Sequence, residues 1–397
     1  MSATHHAARR SIALATFLTL VPLTLVVAGL SELVIGTLGG TRADAHAFTA
    51  VNMAAGIIGV PIAMAMFRRR PNLRVWLVTL LAVDVCAFLG MNAAASVPAL
   101  LAWRALDGLT HLPAVTLLMV AANRLAGERR GATMGLVATS LMTGVAIGSP
   151  LGGWLVMHGP SAVYLTGAAL LAVAALAALA IPPLPADANV GGGHRYEWKR
   201  NSLAVWMPLA FGFMDRFTIG VFVSTFTLYL SEVQRITPSQ RGVLMSLFMV
   251  PFALLCWPAG RLADRIGWFG PSVVGTIAFG LVYATYGIVP GSMLPASMVL
   301  SGLTSALMFA PILLLVSEFA RRGAGEGLFG AFQVAGSFGF LAGPIAGGVA
   351  VELTRRASGV PAYDAIFVGV GAAVILLGVL AGFVLAPLSR AWSSDKP

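Results

Sequence analysis

The run AIFVGVGAAVILLGVLAGFVL, residues 365–385, holds no charged or amide side chain, and the nearest charges are Asp364 before it and Arg390 after it. As a helix rising 1.5 Å per residue it would span about 31 Å, the thickness of a bilayer's hydrocarbon core. Working outward, the same reading recurs along the chain. Spans are expected near 12–38, 47–66, 75–94, 97–121, 133–157 and 161–181, then near 203–230, 242–260, 271–290, 295–319, 327–353 and 363–387. The 397 residues are 58% apolar and only 10% charged, and no water-soluble fold of this length could bury so much apolar surface. The expected fold class is an all-α polytopic membrane protein with twelve transmembrane helices.

Pro182-Pro183-Leu184-Pro185, followed by Gly191-Gly192-Gly193-His194-Arg195, opens the longest polar stretch and reads as a linker. The expected organisation is a six-helix bundle at 1–181, a linker at 182–202 and a second six-helix bundle at 203–397. Lys and Arg fall in alternate loops: 18 lie on the side of both termini and the linker, against 5 on the other. The positive-inside rule therefore makes both termini cytoplasmic. That bias also accounts for the net charge of +10, and the short basic loops carry no nucleic-acid-binding fold. The apolar run after Arg9 and Arg10 is too long for a signal h-region and reads as a retained helix. Cys86 and Cys256 sit in separate spans, with neither disulfide nor metal spacing. No P-loop, dinucleotide fingerprint or His-Glu-x-x-His is present, so neither cofactor nor metal is expected, nor ATP-driven transport by this chain alone.

Two landmarks repeat. Pro61-Ile62-Ala63-Met64-Ala65-Met66-Phe67-Arg68 aligns with Pro258-Ala259-Gly260-Arg261-Leu262-Ala263-Asp264-Arg265 at an offset of 197. Gly144-x-x-x-Gly148-Ser149-Pro150-Leu151-Gly152 answers Gly339-x-x-x-Gly343-Pro344-Ile345-Ala346-Gly347, with the prolines 194 apart. Near-equal offsets point to duplicated halves, the architecture of a transporter whose two bundles rock about a central site.

On these residues the chain resembles the major facilitator superfamily over almost its whole length. Gly260-Arg261-Leu262-Ala263-Asp264-Arg265-Ile266-Gly267 is similar to that family's loop motif, and Arg104-Ala105-Leu106-Asp107-Gly108 to its Arg-centred motif, with Asp107 in place of the commoner glutamine. The fifth-helix pattern resembles the antiporter motif, with Ser149 inserted before Pro150. Gly29-Leu30-Ser31-Glu32-Leu33-Val34-Ile35-Gly36 is similar to the first helix of bacterial drug and sugar efflux permeases. The resemblance implies a conformational latch on Asp264 and Arg265; Phe67 occupies the acid's position in the first half, so none is expected there. Asp264 capping a helix end and Arg265 anchoring at headgroups is the other reading. Gly144, Gly148 and Gly152 make a flat stripe for close helix packing, and Pro150 breaks a backbone hydrogen bond and bends its helix. The resemblance ties that bend, and its counterpart at Gly343 and Pro344, to exchange.

Ionisable groups inside membrane helices are costly and mark functional sites. Arg104, Asp107 and His111, spaced i, i+3, i+7, share one helical stripe. Glu32 and Arg104 each lie about 9 Å inside the same expected end, so a titrating Glu32–Arg104 pair is one way to couple a proton. A permanent Arg104–Asp107 pair with Glu32 solvated is the alternative. His111 reads as a proton relay or a hydrogen-bonded packing residue, and Asp84 as a polar contact between helices. Asp215 is expected near mid-membrane as a substrate or proton group. Arg216, about 100° round the helix, is expected on a different face. Phe211, Phe213, Phe217, Phe222, Phe226, Met308 and Phe309 are candidate linings of an apolar cavity.

The chain thus reads as no enzyme but a proton-coupled exporter of small organic compounds in a bacterial inner membrane, monomeric, with the lipid bilayer as its surroundings. The rivals are an inward-directed nutrient or metabolite permease and a membrane receptor or assembly factor that moves nothing.

Overall fold

The computed structural model describes residues 3–27, 29–127, 129–183, 203–360 and 362–394. Most of the expected linker, from residue 184 on, lies outside them, as does Lys396. Among the described residues the long helices follow one another as α1 (Ala3–Leu25), α2 (Arg42–Arg69), α3 (Leu73–Asn92), α4 (Val97–Leu125), α5 (Arg130–Val156) and α6 (Pro160–Leu179), then α7 (Leu203–Val221), α8 (Pro238–Ile266), α9 (Phe269–Ala284), α10 (Leu294–Phe319), α11 (Gly327–Ser358) and α12 (Tyr363–Ser394). No strand occurs among the described residues. Among the described residues eleven helices are long and apolar enough to cross a bilayer, while α9, at 16 residues, is shorter.

Local chemistry sets the ends. Thr41 and Asp44 form a reciprocal capping box at α2, and Thr237 with Gln240 does the same at α8. The Asn72 and Ser96 side chains accept from Val75 and Ala99 backbone N–H groups to cap α3 and α4. Each such cap contributes about 1 kcal/mol.

Two expectations need correction. The first span, read as one helix over 12–38, begins at Ala3, stops at Leu25 and resumes as a π turn, Ser31–Gly36. Gly29, a poor helix former, lies in the break. It packs so closely on α5 that a Cβ there would stand 2.8 Å from Val156 Cγ2. The ninth span, expected over 271–290, ends at Ala284, where turns lead through Gly287 to Pro290. The π turn Phe222–Phe226 carries α7 on into Thr227–Glu232.

The chain divides into two compact units, residues 1–128, 140–193 and 326–334 against residues 129–139, 194–325 and 335–397. In the first, α4 packs on α2 and α3, α3 on α6, and α1 on α6 and α4. In the second, α10 packs on α8 and α9, α9 on α12, and α7 on α12 and α10. Adding six to each helix number turns the first set into the second. The glycine stripes complete the parallel. A Cβ at Gly144 would stand 2.7 Å from Leu20 Cβ, and side chains at Gly148 and Gly152 would run into the Val21 and Leu25 carbonyls of α1. Likewise, Gly339 and Gly343 meet the Phe213 and Phe217 carbonyls of α7. Pro150 and Pro344 both lie inside continuous helices. α4 and α10 are the most enclosed spans, so they form the inner layer of their units.

Candidate functional site

In the first unit the polar residues of three helices converge. The Arg104 guanidinium forms an ion pair with Asp107 Oδ2 one turn on, and Asn52 Nδ2 of α2 donates to the same oxygen at 2.7 Å. His111 Nδ1 lies 2.8 Å from Asp84 Oδ2 of α3 and 3.7 Å from Asp107 Oδ1. Arg104 stacks 4.7 Å over the Phe48 ring. Gly108 makes the convergence possible, since any side chain there would collide with the Asn52 carbonyl. All five polar residues are buried. The expected stripe of Arg104, Asp107 and His111 is present, and Asp84 makes the helix contact foreseen for it. Glu32 is not brought to Arg104: it is exposed on the π turn after α1, and Arg104 takes Asp107 instead. Asn52 and Phe48 were not singled out from sequence. Asn52 was detectable as a lone amide in an apolar run.

In the second unit Asp215 is buried and Arg216 about a quarter exposed. The two were expected on different faces of the helix; Arg216 Nε nevertheless lies 3.5 Å from Asp215 Oδ2. The same guanidinium lies 5.7 Å over the Phe309 ring of α10. Asp215 borders a narrow apolar crevice with Phe211, Met214, Phe279 and Met308. Phe213 and Phe217 stack at 5.7 Å. Phe222 and Phe226 are buried in an aromatic cluster with Phe248, Tyr286 and Phe367.

Three further groupings lie near helix ends. Asp264 Oδ1 and Oδ2 accept from the backbone N–H groups of Gly131 and Ala132, at 2.6 and 2.7 Å, at the start of α5. Asp264 is thus a helix cap, on a helix distant in sequence; Arg265 is exposed. In the first unit, Arg124 grips Glu326 with two bonds of 2.6 and 2.8 Å. Phe67 packs under the same guanidinium at 5.2 Å. Glu318 in the second unit gathers Arg130, Arg321 and Arg322 at 3.6, 3.0 and 3.5 Å.

Long apolar helices, a six-plus-six repeat of contacts and charges sequestered on inner helices define a multi-pass membrane transporter. The sequence model of the Major Facilitator Superfamily matches residues 12–214 and again 209–397: the chain belongs to that superfamily and is a secondary transporter. No curated protein sequence matches it. Among solved structures it is similar in fold to the human organic anion transporter MFSD10 (TETRAN), with a TM-score of 0.78 at 15% identity over 97% of this chain and 100% of that one.

Proposed function

We propose that this transporter exports small, mainly apolar organic compounds in exchange for protons, by alternating access in a bacterial inner membrane. In this reading the monomer crosses twelve times with both termini cytoplasmic, as bundles 1–181 and 203–397 joined by the linker 182–202. The observation that carries it is Asp215, an acid buried beside an aromatic and methionine-lined crevice with Arg216 as its charged neighbour. A carboxylate in apolar surroundings favours its neutral form, whereas an adjacent guanidinium favours the charged one. Such a group can be loaded and unloaded as its surroundings change. The apolar lining suits lipophilic or aromatic cargo, and Arg216 over Phe309 supplies a cationic edge.

Glu32, exposed near a break in α1, remains the second candidate proton carrier. Asp264 and Arg265 are proposed as the conformational latch. The glycine stripes with Pro150 and Pro344 are proposed as the seams along which α5 and α11 adjust, and their resemblance to the antiporter motif favours export. The test is uptake of labelled lipophilic compounds into inside-out proteoliposomes under an imposed pH gradient. Gradient-driven uptake is expected for the wild type and is expected to fall at least tenfold for Asp215→Asn, while binding survives in part. Undiminished uptake by Asp215→Asn, with loss in Glu32→Gln, would move the proton to Glu32.

A further inference from the structure

The cluster between α2, α3 and α4 contains more polar capacity than it satisfies. Asp84 Oδ1, Asp107 Oδ1, Asn52 Oδ1 and His111 Nε2 are buried without a hydrogen-bond partner. Leaving such atoms unpaired costs about 1–3 kcal/mol each. Two carboxyl groups, those of Asp84 and Asp107, meet a single guanidinium, that of Arg104. A hydrogen bond between His111 and Asp84 alone satisfies neither Asp107 Oδ1 nor Asn52 Oδ1.

A cation held between these side chains would take up Asp107 Oδ1, and the donor geometry says which kind. One ligand atom each from Asp84, Asp107 and His111 lies within 4.8 Å of the others. The His111 Nδ1 separations of 2.8 Å from Asp84 Oδ2 and 3.7 Å from Asp107 Oδ1 bracket the roughly 3.4 Å between two ligands that each sit about 2.1 Å from a tetrahedral ion. Alkali and alkaline-earth ions prefer oxygen donors, whereas an imidazole with carboxylates suits zinc, manganese, iron or cobalt. Arg104 and Asn52 Nδ2 occupy Asp107 Oδ2 and leave Oδ1 for the ion. We propose that Asp84, Asp107 and His111 bind one divalent transition-metal ion, with the Asn52 amide oxygen available as a fourth donor. The ion ties α3 to α4 inside the first unit. This inference does not depend on the direction of transport or on its proton carrier.

The test is a Co2+ titration of the purified, chelator-stripped full chain in detergent, read by visible absorption and equilibrium dialysis. The expected result is one ion per chain with the intense bands of four-coordinate cobalt. Asp84→Asn and His111→Gln are each expected to weaken that binding at least tenfold, while His158→Gln, at an exposed histidine, leaves it unchanged. Absence of the four-coordinate bands at one equivalent in the wild type overturns the proposal; this arm decides even where a variant fails to fold. Equal binding by folded wild type, Asp84→Asn and His111→Gln overturns it as well, by assigning the ion to surface histidines.

Discussion

At the residue scale, one position separates the two halves. Asp264 and Phe67 align in the repeat, yet the first caps α5 with two charge-assisted bonds, and the second supports an Arg124–Glu326 ion pair. Asp264→Asn retains a single acceptor oxygen, so at least one of the two bonds, worth about 1.5–3 kcal/mol, is lost. That loss is expected to shift the balance of inward- and outward-open states about tenfold or more, measured by reagent accessibility of paired cavity cysteines. An unchanged balance would leave Asp264 as a cap alone. Arg124→Ala strands Glu326, and the side chain it removes is itself nearly fully buried. A lowered melting temperature in detergent is expected, equivalent to about 1–3 kcal/mol, with substantial recovery in the Arg124→Glu, Glu326→Arg double swap. No recovery would mean that the packing on Phe67, rather than the charge pair, holds the site. The stripe of Arg104, Asp107 and His111 was legible from spacing because it lies on one helix. Asn52 was not, and Asp84 was legible as a polar helix contact but not as the partner of His111, because both come from other helices and no spacing rule reaches across them. Asp215 and Arg216 show the converse limit, since helical wheels place side-chain roots and a guanidinium reaches farther than its root suggests.

At the element scale, the apolar runs revealed most helices, because that signal is local. The break after Leu25 was not legible, since the close approach of Gly29 to Val156 depends on α5 being alongside. The glycine stripes were legible as flat faces, but the faces they meet, α1 and α7, emerge only from the packing. Backbone approach this close leaves no room for a methyl group. At Gly343 an added Cβ would lie 2.5 Å from the Phe217 carbonyl oxygen and 2.9 Å from Gly220 Cα, whereas at Gly348 nothing stands within 4 Å. Gly343→Ala is therefore expected to destabilise the purified protein by about 1–3 kcal/mol. Gly348→Ala, four residues past Pro344 on the same helix, is expected to be neutral or slightly stabilising through its better helix propensity. Equal melting temperatures for the two variants would show that α11 and α7 are not held at this distance in the membrane.

At the scale of the whole molecule, the question is whether α9 crosses. Its 16 residues give about 24 Å of helix, short of a hydrocarbon core of about 30 Å. Its packing argues that it does. α9 lies against α10 and α12 as α3 lies against α4 and α6, and α3, with 20 residues, is long enough to span. The missing length can be met by the turns at 285–289 or by local thinning of the bilayer, each at a modest cost. Without this crossing, α10, α11 and α12 would each reverse direction relative to the first six helices, and the match between the two sets of helix contacts would have no origin in a repeated topology. Single cysteines in a background lacking Cys86 and Cys256 decide the matter. Gly270, with open space around it, and Ser292, exposed beyond the far end of α9, tolerate the change. With a membrane-impermeant maleimide, Gly270→Cys is expected to react only in inside-out vesicles, together with Arg69→Cys. Ser292→Cys is expected to react only in right-side-out vesicles, together with Ala95→Cys. Reaction of the two α9 positions from one side would refute twelve crossings and place the C-terminus opposite the N-terminus, with Arg321, Arg322 and Arg390 on the wrong face of the membrane.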